Sequence, residues 1–310
     1  MPLQPLIENR SFLSNAAANV RAGLLSVFGL GTLIIVNLVQ TLSLLVRPFS
    51  MKAFRKINRA CAGAWWGMCV SGARHLNGST ILITGEDVPL REDAIIVSNH
   101  QQMPDITTIM AFAKSKERIG DLKFFVKDIL KWVPGVGWGM LFLDCLFVKR
   151  NWSSDSDHIL KTFSTLVENR VPVWLVSFVE GTRARLHKIE ASREFALSRG
   201  IKPLQHVLLP RTKGFAATVE GLREHVTAVY DLTIGYEEGV PTLWQYIKGS
   251  VERIHLHVRR FPVEDLPTLE DDVRQWLLDR WTEKDQLLER FYTSGAFPSE
   301  ALPEEMAVEP

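Results

Sequence analysis

A histidine and an aspartate stand five positions apart at the end of an apolar run in IIVSNHQQMPDITTIM, residues 95–110. The apolar run stops at Asn99 and His100, and the polar turn that follows ends at Asp105. Histidine has an ordinary pKa of about 6.5, which suits a general base near neutral pH. A carboxylate at the start of the next helix can accept the imidazole N–H and fix its tautomer. The spacing admits such a pair, although a strand end, a turn and a helix-capping aspartate fit the same residues.

Polar residues follow two further apolar segments. FVEGTRAR places the turn EGTR, residues 180–183, directly after an apolar run, and CLFVKR ends in Lys149 and Arg150. Ligands in open α/β sheets bind outside the carboxyl ends of parallel strands. If all three segments are strands of one sheet, the histidine, the acid-glycine-arginine turn and the basic pair meet at one place. The sequence therefore indicates a single polar site rather than three unrelated strand ends or helix caps.

The elements that must position these residues alternate between strand and helix after Gly78. Continuous apolar strands such as Val173–Val179 are typical of a sheet covered on both faces. The alternation predicts an α/β fold with a mixed, largely parallel sheet covered by helices. We predict strands over residues 80–85, 94–99, 122–126, 145–150, 171–180, 207–210, 228–236 and 253–261, and helices over 106–113, 154–169 and 190–198.

The N-terminal part of the chain has a different composition. No charged residue occurs from Ala22 to Val46, and about 20 apolar residues are enough to cross a bilayer core. The two polar side chains Asn37 and Gln40 weaken the prediction of a spanning helix. A helix buried shallowly in one leaflet and a re-entrant hairpin therefore stay open. In each case this end of the chain is expected to meet lipid.

Charge and cysteine usage exclude some classes of partner. Lys plus Arg number 36 against 35 Asp plus Glu, so the chain lacks the basic surplus typical of nucleic-acid binders. Cys61, Cys69 and Cys145 form no Cys-x-x-Cys pair, which argues against structural zinc, and we interpret them as core residues. We predict no metal site and no nucleic-acid partner.

Four ordered motifs make the chain resemble the glycerolipid acyltransferases. The residues are His100 to Asp105, Arg150, EGTR at 180–183 and LLPRTKGF at 208–215, and the likeness spans about residues 77–292. The resemblance implies an enzyme that transfers an acyl group from acyl-CoA or acyl carrier protein to the free sn-2 hydroxyl of 1-acylglycerol-3-phosphate. Lysophosphatidylinositol, lysocardiolipin or glycerol 3-phosphate remains an alternative acceptor. A lipid-binding membrane protein without catalysis is an alternative of another class.

The resemblance also implies roles for residues. His100 is the general base, Asp105 orients it, and Arg183 holds the acceptor phosphate, since a guanidinium matches phosphate oxygens in a bidentate manner. Glu180 is expected to orient Arg183 or a neighbouring helix. No acyl-enzyme intermediate, cofactor or metal is expected. The other residues implied for the substrate site are Asn99, Lys127, Arg150, Glu180, Gly181, Thr182 and Pro210.

The same reasoning divides the chain into three parts. Residues 1–76 are predicted to form membrane-anchoring helices, with the second helix over residues 51–76. Residues 77–297 are the predicted catalytic domain, and the acidic segment 298–310 is a predicted disordered tail. Five basic residues between Arg47 and Arg59 favour the cytoplasmic side of the membrane. The predicted partners are thus membrane lipids and an acyl donor, and the oligomeric state is left open.

Overall fold

The computed structural model describes residues 4–149 and 152–298. Predicted features at Arg150 and in residues 299–310 of the tail lie outside the described residues. The helices are α1 (Phe12–Leu42), α2 (Met51–His75), α3 (Pro104–Ser115), α4 (Val136–Leu141), α5 (Trp152–Glu168), α6 (Leu186–Ser198), α7 (Thr212–Leu222), α8 (Leu243–Ile247) and α9 (Glu270–Ser294). The strands are β1 (Thr80–Gly85), β2 (Ala94–Ser98), β3 (Leu122–Lys127), β4 (Leu146–Val148), β5 (Trp174–Ser177), β6 (Ala228–Tyr236) and β7 (Arg253–Pro262).

The described strands form one sheet in the order β1-β7-β6-β2-β5-β3-β4. All neighbours are parallel except β6 and β7, which are antiparallel. The prediction of a mixed, largely parallel α/β sheet is therefore confirmed. Because β6, β2, β5, β3 and β4 run in the same direction, their carboxyl ends share one edge of the sheet.

Successive residues of the central strands enter two different cores. Ile96 of β2 belongs to the core that contains residues of α2 and α3. Its neighbour Ile95 belongs to the core built with α5, α7 and α9. Both isoleucines are fully buried, and burial of a side chain of this size contributes about 1.5–3 kcal/mol. The continuous apolar strands follow from this arrangement, since both faces of the sheet are covered.

One predicted strand is absent from the structure, and one helix was missed by the prediction. Residues 207–210 form no strand, because the N–H groups of Leu208 and Leu209 are bound by the side chains of Glu180 and Ser192 instead of a neighbouring strand. The long helix α9 was not predicted. Its surface is strongly charged, but it buries Leu277, Trp281 and other residues at helical spacing.

Helix α1 lies lengthwise along α2 in the antiparallel direction. Near its start, Arg21 donates a 2.9 Å hydrogen bond to the carbonyl of Leu76, which directly follows α2. In its middle, the Gly29 carbonyl accepts from the indole N–H of Trp65 at 3.3 Å. Just beyond its end, Ser43 accepts a 2.9 Å hydrogen bond from Asn58. The contacts between α1 and the α2 region therefore extend from Arg21 to the C-terminal end of α1.

Candidate active site

The loop between β2 and α3 folds around the carboxylate of Asp105. Pro104 begins α3, and its fixed φ suits the first position of a helix. Asp105 follows it, is fully buried, and turns back so that Oδ2 accepts hydrogen bonds from the N–H groups of Gln101 at 2.6 Å and Gln102 at 2.9 Å. The carboxylate thus fixes the turn that carries His100.

The same oxygen of Asp105 contacts the His100 ring, with 2.9 Å between Nδ1 and Oδ2. A carboxylate can only accept, so we assign the proton to Nδ1, which leaves Nε2 as the acceptor. The other side of the ring packs on Phe178, with centroids 4.0 Å apart and an interplanar angle of 21°. The His100 side chain is 13% exposed. The imidazole is therefore held in one orientation while part of it reaches solvent.

Glu180 lies behind the histidine, buried at 3% exposure. Its carboxyl group accepts from the N–H of His100 at 3.2 Å and of Leu208 at 3.4 Å. Burial raises the pKa of Glu180 to about 8, although these two hydrogen bonds and the charge of Lys284 act in the opposite direction. Glu180 was expected to orient Arg183 or a helix. In the structure it joins the β2–α3 loop to the chain at residue 208.

The turn after β5 places the remaining residues of the EGTR motif beside this loop. Gly181 has a φ of +70°, and a Cβ there would lie 2.6 Å from Nε of Arg211. Thr182 accepts a hydrogen bond of 2.5 Å from Lys188. Arg183 is half-buried and donates to Oε1 of Gln102 at 2.5 Å. The turn thus brings the Arg183 guanidinium next to the loop that carries His100.

The other predicted substrate residues have diverse positions. Asn99 is buried, and its amide exchanges two hydrogen bonds with the backbone of Ile234 in β6, at 2.8 and 2.9 Å. This pairing favours a positioning role over the predicted contact with substrate. Lys127 is exposed at the carboxyl end of β3. Pro210 is buried, and it follows the irregular segment 207–209 rather than a strand.

Residues that sequence reasoning missed also surround the site. Tyr236, fully buried at the end of β6, donates from Oη to the second oxygen of Asp105 at 2.5 Å. Burial, together with Asp105, raises the pKa of Tyr236 well above its usual value, so the phenol keeps its proton and remains a donor. Phe178 and Arg211 were missed as well. Tyr236 could have been found from its position, because it ends an apolar strand whose carboxyl end lies at the same edge of the sheet as His100.

The arrangement can abstract a proton but offers no cysteine nucleophile within the described residues. Of the three cysteines, which were interpreted as core, Cys145 is buried while Cys61 and Cys69 are partly exposed. Burial raises the pKa of Cys69 and of Cys145 to about 11, so both stay protonated at neutral pH. A hydroxyl of a substrate, activated by His100, fits the site better than a thiol of the protein. These features are those of an enzyme that transfers a group to a substrate oxygen.

Matches to two family models agree with an enzyme that transfers a group to a substrate oxygen, and they name the group. The model described as "Acyltransferase" matches residues 80–237, and "Acyltransferase C-terminus" matches residues 245–309. The chain belongs to the acyltransferase family of glycerolipid enzymes and is an O-acyltransferase. The sequence-based assignment to this family is therefore confirmed.

Similar proteins come from plants, animals and bacteria. A "1-acyl-sn-glycerol-3-phosphate acyltransferase 2" of Brassica napus is 33% identical over 274 residues, which cover 86% of this chain and 70% of the relative. The "1-acyl-sn-glycerol-3-phosphate acyltransferase delta" of Mus musculus is 34% identical and is covered to 71%. The crystal structure of "PlsC", the "1-acyl-sn-glycerophosphate (LPA) acyltransferase" from Thermotoga maritima, superposes with a TM-score of 0.55 at 16% identity. The superposition covers 89% of this chain and 97% of the Thermotoga maritima chain, so the two proteins share the fold.

Proposed function

We propose that the protein transfers an acyl group from a thioester donor, acyl-CoA or acyl carrier protein, to the sn-2 hydroxyl of 1-acylglycerol-3-phosphate, giving phosphatidate. The curated relatives named above carry this acceptor in their names. The observation that carries the proposal is the contact between His100 and Asp105, supported on its far side by Tyr236. A protein that only binds lipid has no use for a base oriented in this way.

In the proposed reaction Nε2 of His100 takes the proton of the acceptor hydroxyl as its oxygen attacks the thioester carbonyl. A carbon–oxygen bond forms, and the carbon–sulfur bond of the tetrahedral intermediate breaks. The leaving thiolate takes the proton back from the imidazolium. Asp105 accepts the Nδ1–H of His100 throughout and stabilises the imidazolium between these steps. No group of the protein becomes acylated, in line with the protonated thiols.

Arg183 is proposed to bind the acceptor phosphate. Its contact with Gln102 uses one of five guanidinium N–H donors, and the neighbouring side chain of Arg211 lies against Gly181. A lysine at position 183 would keep the charge but lose the bidentate geometry. Arg183→Lys should therefore raise the KM for the acceptor much more than the KM for the acyl donor.

The protein is proposed to lie on the cytoplasmic face of a membrane with α1 in a single leaflet. Helix α1 is, among the described helices, the one long and apolar enough to cross a bilayer, and it is largely exposed. Yet both of its ends bind the same domain. Arg10, before its first turn, donates to the carbonyl of Gly249 at 2.7 Å, and Asn37 in its last turns accepts from the N–H of Gly135 at 3.1 Å. Since a spanning helix would carry one end to the opposite side, these contacts support in-plane insertion.

A panel of substrates tests the proposed reaction. Purified protein in detergent is supplied with labelled acyl-CoA or labelled acyl-(acyl carrier protein). The candidate acceptors are tested in turn: 1-acylglycerol-3-phosphate, lysophosphatidylinositol, lysocardiolipin and glycerol 3-phosphate. We expect the highest kcat/KM with 1-acylglycerol-3-phosphate. A preference for another acceptor would overturn the substrate assignment and leave the chemistry intact.

The role of the base is tested with His100→Ala. The loss of a general base lowers turnover by about 10²–10⁴-fold. His158→Ala, on the exposed side of α5, is the control and should retain full activity. A His100→Ala enzyme with near wild-type turnover would refute the mechanism.

A further inference from the structure

An exposed apolar surface lies between β3 and the site-forming loops that follow it. The segment 128–141, here called the β3–α4 segment, contains the 3-10 turn Asp128–Trp132 and helix α4. It leaves Ile129 65%, Trp132 72%, Trp138 44% and Leu141 47% exposed. Four large, exposed apolar side chains within one short segment indicate a binding interface for lipid or protein. Nothing in the proposed mechanism uses these four side chains.

This surface adjoins the exposed face of α1. The Gly135 N–H donates to Asn37 of α1, and a Cβ built on Gly135 would lie 3.1 Å from Cδ2 of Leu33. The outer side of α1 around these contacts exposes Ile34 and Leu38 at 68% and 60%. The β3–α4 segment and α1 are therefore in direct contact at Gly135.

The side chains of the β3–α4 segment suit the boundary between hydrocarbon and headgroups. Tryptophan is enriched at this depth because its ring is apolar and its N–H is polar. Lys131 lies 5.5 Å from the centroid of the Trp132 ring and is paired with Asp128, so polar groups flank the apolar ones. Continuity with a helix that itself meets lipid favours a bilayer over a protein as the occupant.

We propose that the β3–α4 segment inserts into the same leaflet as α1 and forms a second lipid contact of the enzyme. The inference rests on the membrane placement proposed above. Lys127 immediately precedes the segment, so insertion holds this basic residue at the depth of the headgroups. The segment thereby couples lipid contact to the carboxyl edge of the sheet, where the acceptor must arrive.

Fluorescence quenching tests the insertion directly. Full-length protein is bound to phosphatidylcholine–phosphatidylglycerol vesicles whose acyl chains carry bromine, which quenches only tryptophans near the hydrocarbon. Trp132→Phe should remove part of the quenchable emission. Trp276→Phe, on α9 and packed on Phe215, should remove only unquenched emission. Equal quenched fractions in the wild type and Trp132→Phe would overturn the proposal even if α1 still anchors the protein.

Activity provides the second test with a matched pair of leucines. Leu141→Glu in α4 and Leu160→Glu in α5 have similar exposure, 47% and 44%, but α5 packs on the opposite face of the sheet. A carboxylate is costly in the hydrocarbon region, so Leu141→Glu should lose about tenfold in activity on vesicle-presented acceptor, and Leu160→Glu nothing. With detergent-dispersed acceptor both variants should match the wild type. If Leu141→Glu loses the same activity with vesicle-presented and detergent-dispersed acceptor, Leu141 serves the fold and not lipid contact, and the proposal is overturned. If the wild-type protein itself shows no acyltransfer in either presentation, the proposed function is refuted instead.

Discussion

At the scale of single residues, the candidate site is organised around the carboxyl group of Asp105, and both of its oxygens accept hydrogen bonds. One oxygen of Asp105 receives His100 and two backbone N–H groups, and the other receives Tyr236. A buried carboxyl group without partners is costly, and the donors around Asp105 remove that cost. The imidazole thus faces a carboxyl group that cannot rotate away.

Tyr236→Phe tests this arrangement, since it removes one donor without changing the shape of the core. We expect kcat to fall about 10- to 100-fold with little change in KM for either substrate, because a hydrogen bond to a charged group contributes about 1.5–3 kcal/mol. Tyr230→Phe is the matched control. Tyr230 lies on the same strand and also bonds a carboxylate, Glu92, but at the opposite edge of the sheet. Equal effects of the two substitutions would mean that Tyr236 serves only stability.

Glu180 makes the stability of the fold depend on pH. The unfolded chain releases this proton above about pH 4.5, whereas the pKa of about 8 in the fold retains it. The folded pKa is raised, so the folded state binds the proton more tightly and stability falls as pH rises from about 4.5 to 8. Glu180→Gln should remove the contribution of Glu180 to the fall in the free energy of unfolding, which is on the order of a few kcal/mol. Urea unfolding at pH 5 and pH 8.5 measures it, and the exposed Glu194→Gln should leave the slope unchanged.

At the scale of elements, glycines set the shape of the β3–α4 segment. The stretch VPGVGWGM, residues 133–140, contains three glycines, and Gly135 turns the chain with a φ of +87° before α4 begins at Val136. Gly137 then packs so closely on the preceding 3-10 turn that a Cβ would lie 1.7 Å from the carbonyl oxygen of Leu130. The segment therefore needs glycine for the close approach of α4 to the 3-10 turn.

Gly137→Ala should destabilise the protein by about 3 kcal/mol, because α4 must move away from Leu130. Gly139→Ala, two positions later, meets its nearest atom at 3.4 Å and should change stability by less than about 1 kcal/mol. Thermal unfolding in detergent compares the two. Similar midpoints for both variants would show that the turn and α4 are not held against each other in this way.

At the scale of the whole molecule, both ends of α1 are fixed to one domain. The N-terminal residues before α1 add to this attachment, since Glu8 pairs with Lys248 at 2.6 Å and Leu6 bonds the backbone of Val240. Removal of residues 1–46 would therefore break domain contacts as well as lipid contacts. A deletion alone cannot separate anchoring from folding, and sidedness is the sharper measurement.

The in-plane placement of α1 predicts that both ends of the chain's apolar segment lie on one side of the membrane. An epitope tag before residue 1 and a cysteine introduced at the exposed position Leu160 should be reached from the same side of sealed inverted membrane vesicles. Intact right-side-out vesicles should protect both. Opposite accessibility of the tag and the cysteine would show that α1 crosses the bilayer.

The sequence by itself determined the α/β class, the family and the residues that meet at one sheet edge, because apolar strand patterns and local motifs are written in consecutive residues. The spacing of His100 and Asp105 admitted a pair, since one turn joins them, and the polar motifs after two further apolar segments made the pair the favoured interpretation. The partners from distant segments were decided only by tertiary structure: Tyr236 reaches Asp105 through the pairing of β6 with β2, and Phe178 reaches His100 through the pairing of β5 with β2. The partners of Glu180 also depend on tertiary structure, because they lie on two loops that pack together. The polar side chain of Asn37 weakened the prediction of a membrane helix, and the structure shows that it accepts a hydrogen bond from Gly135.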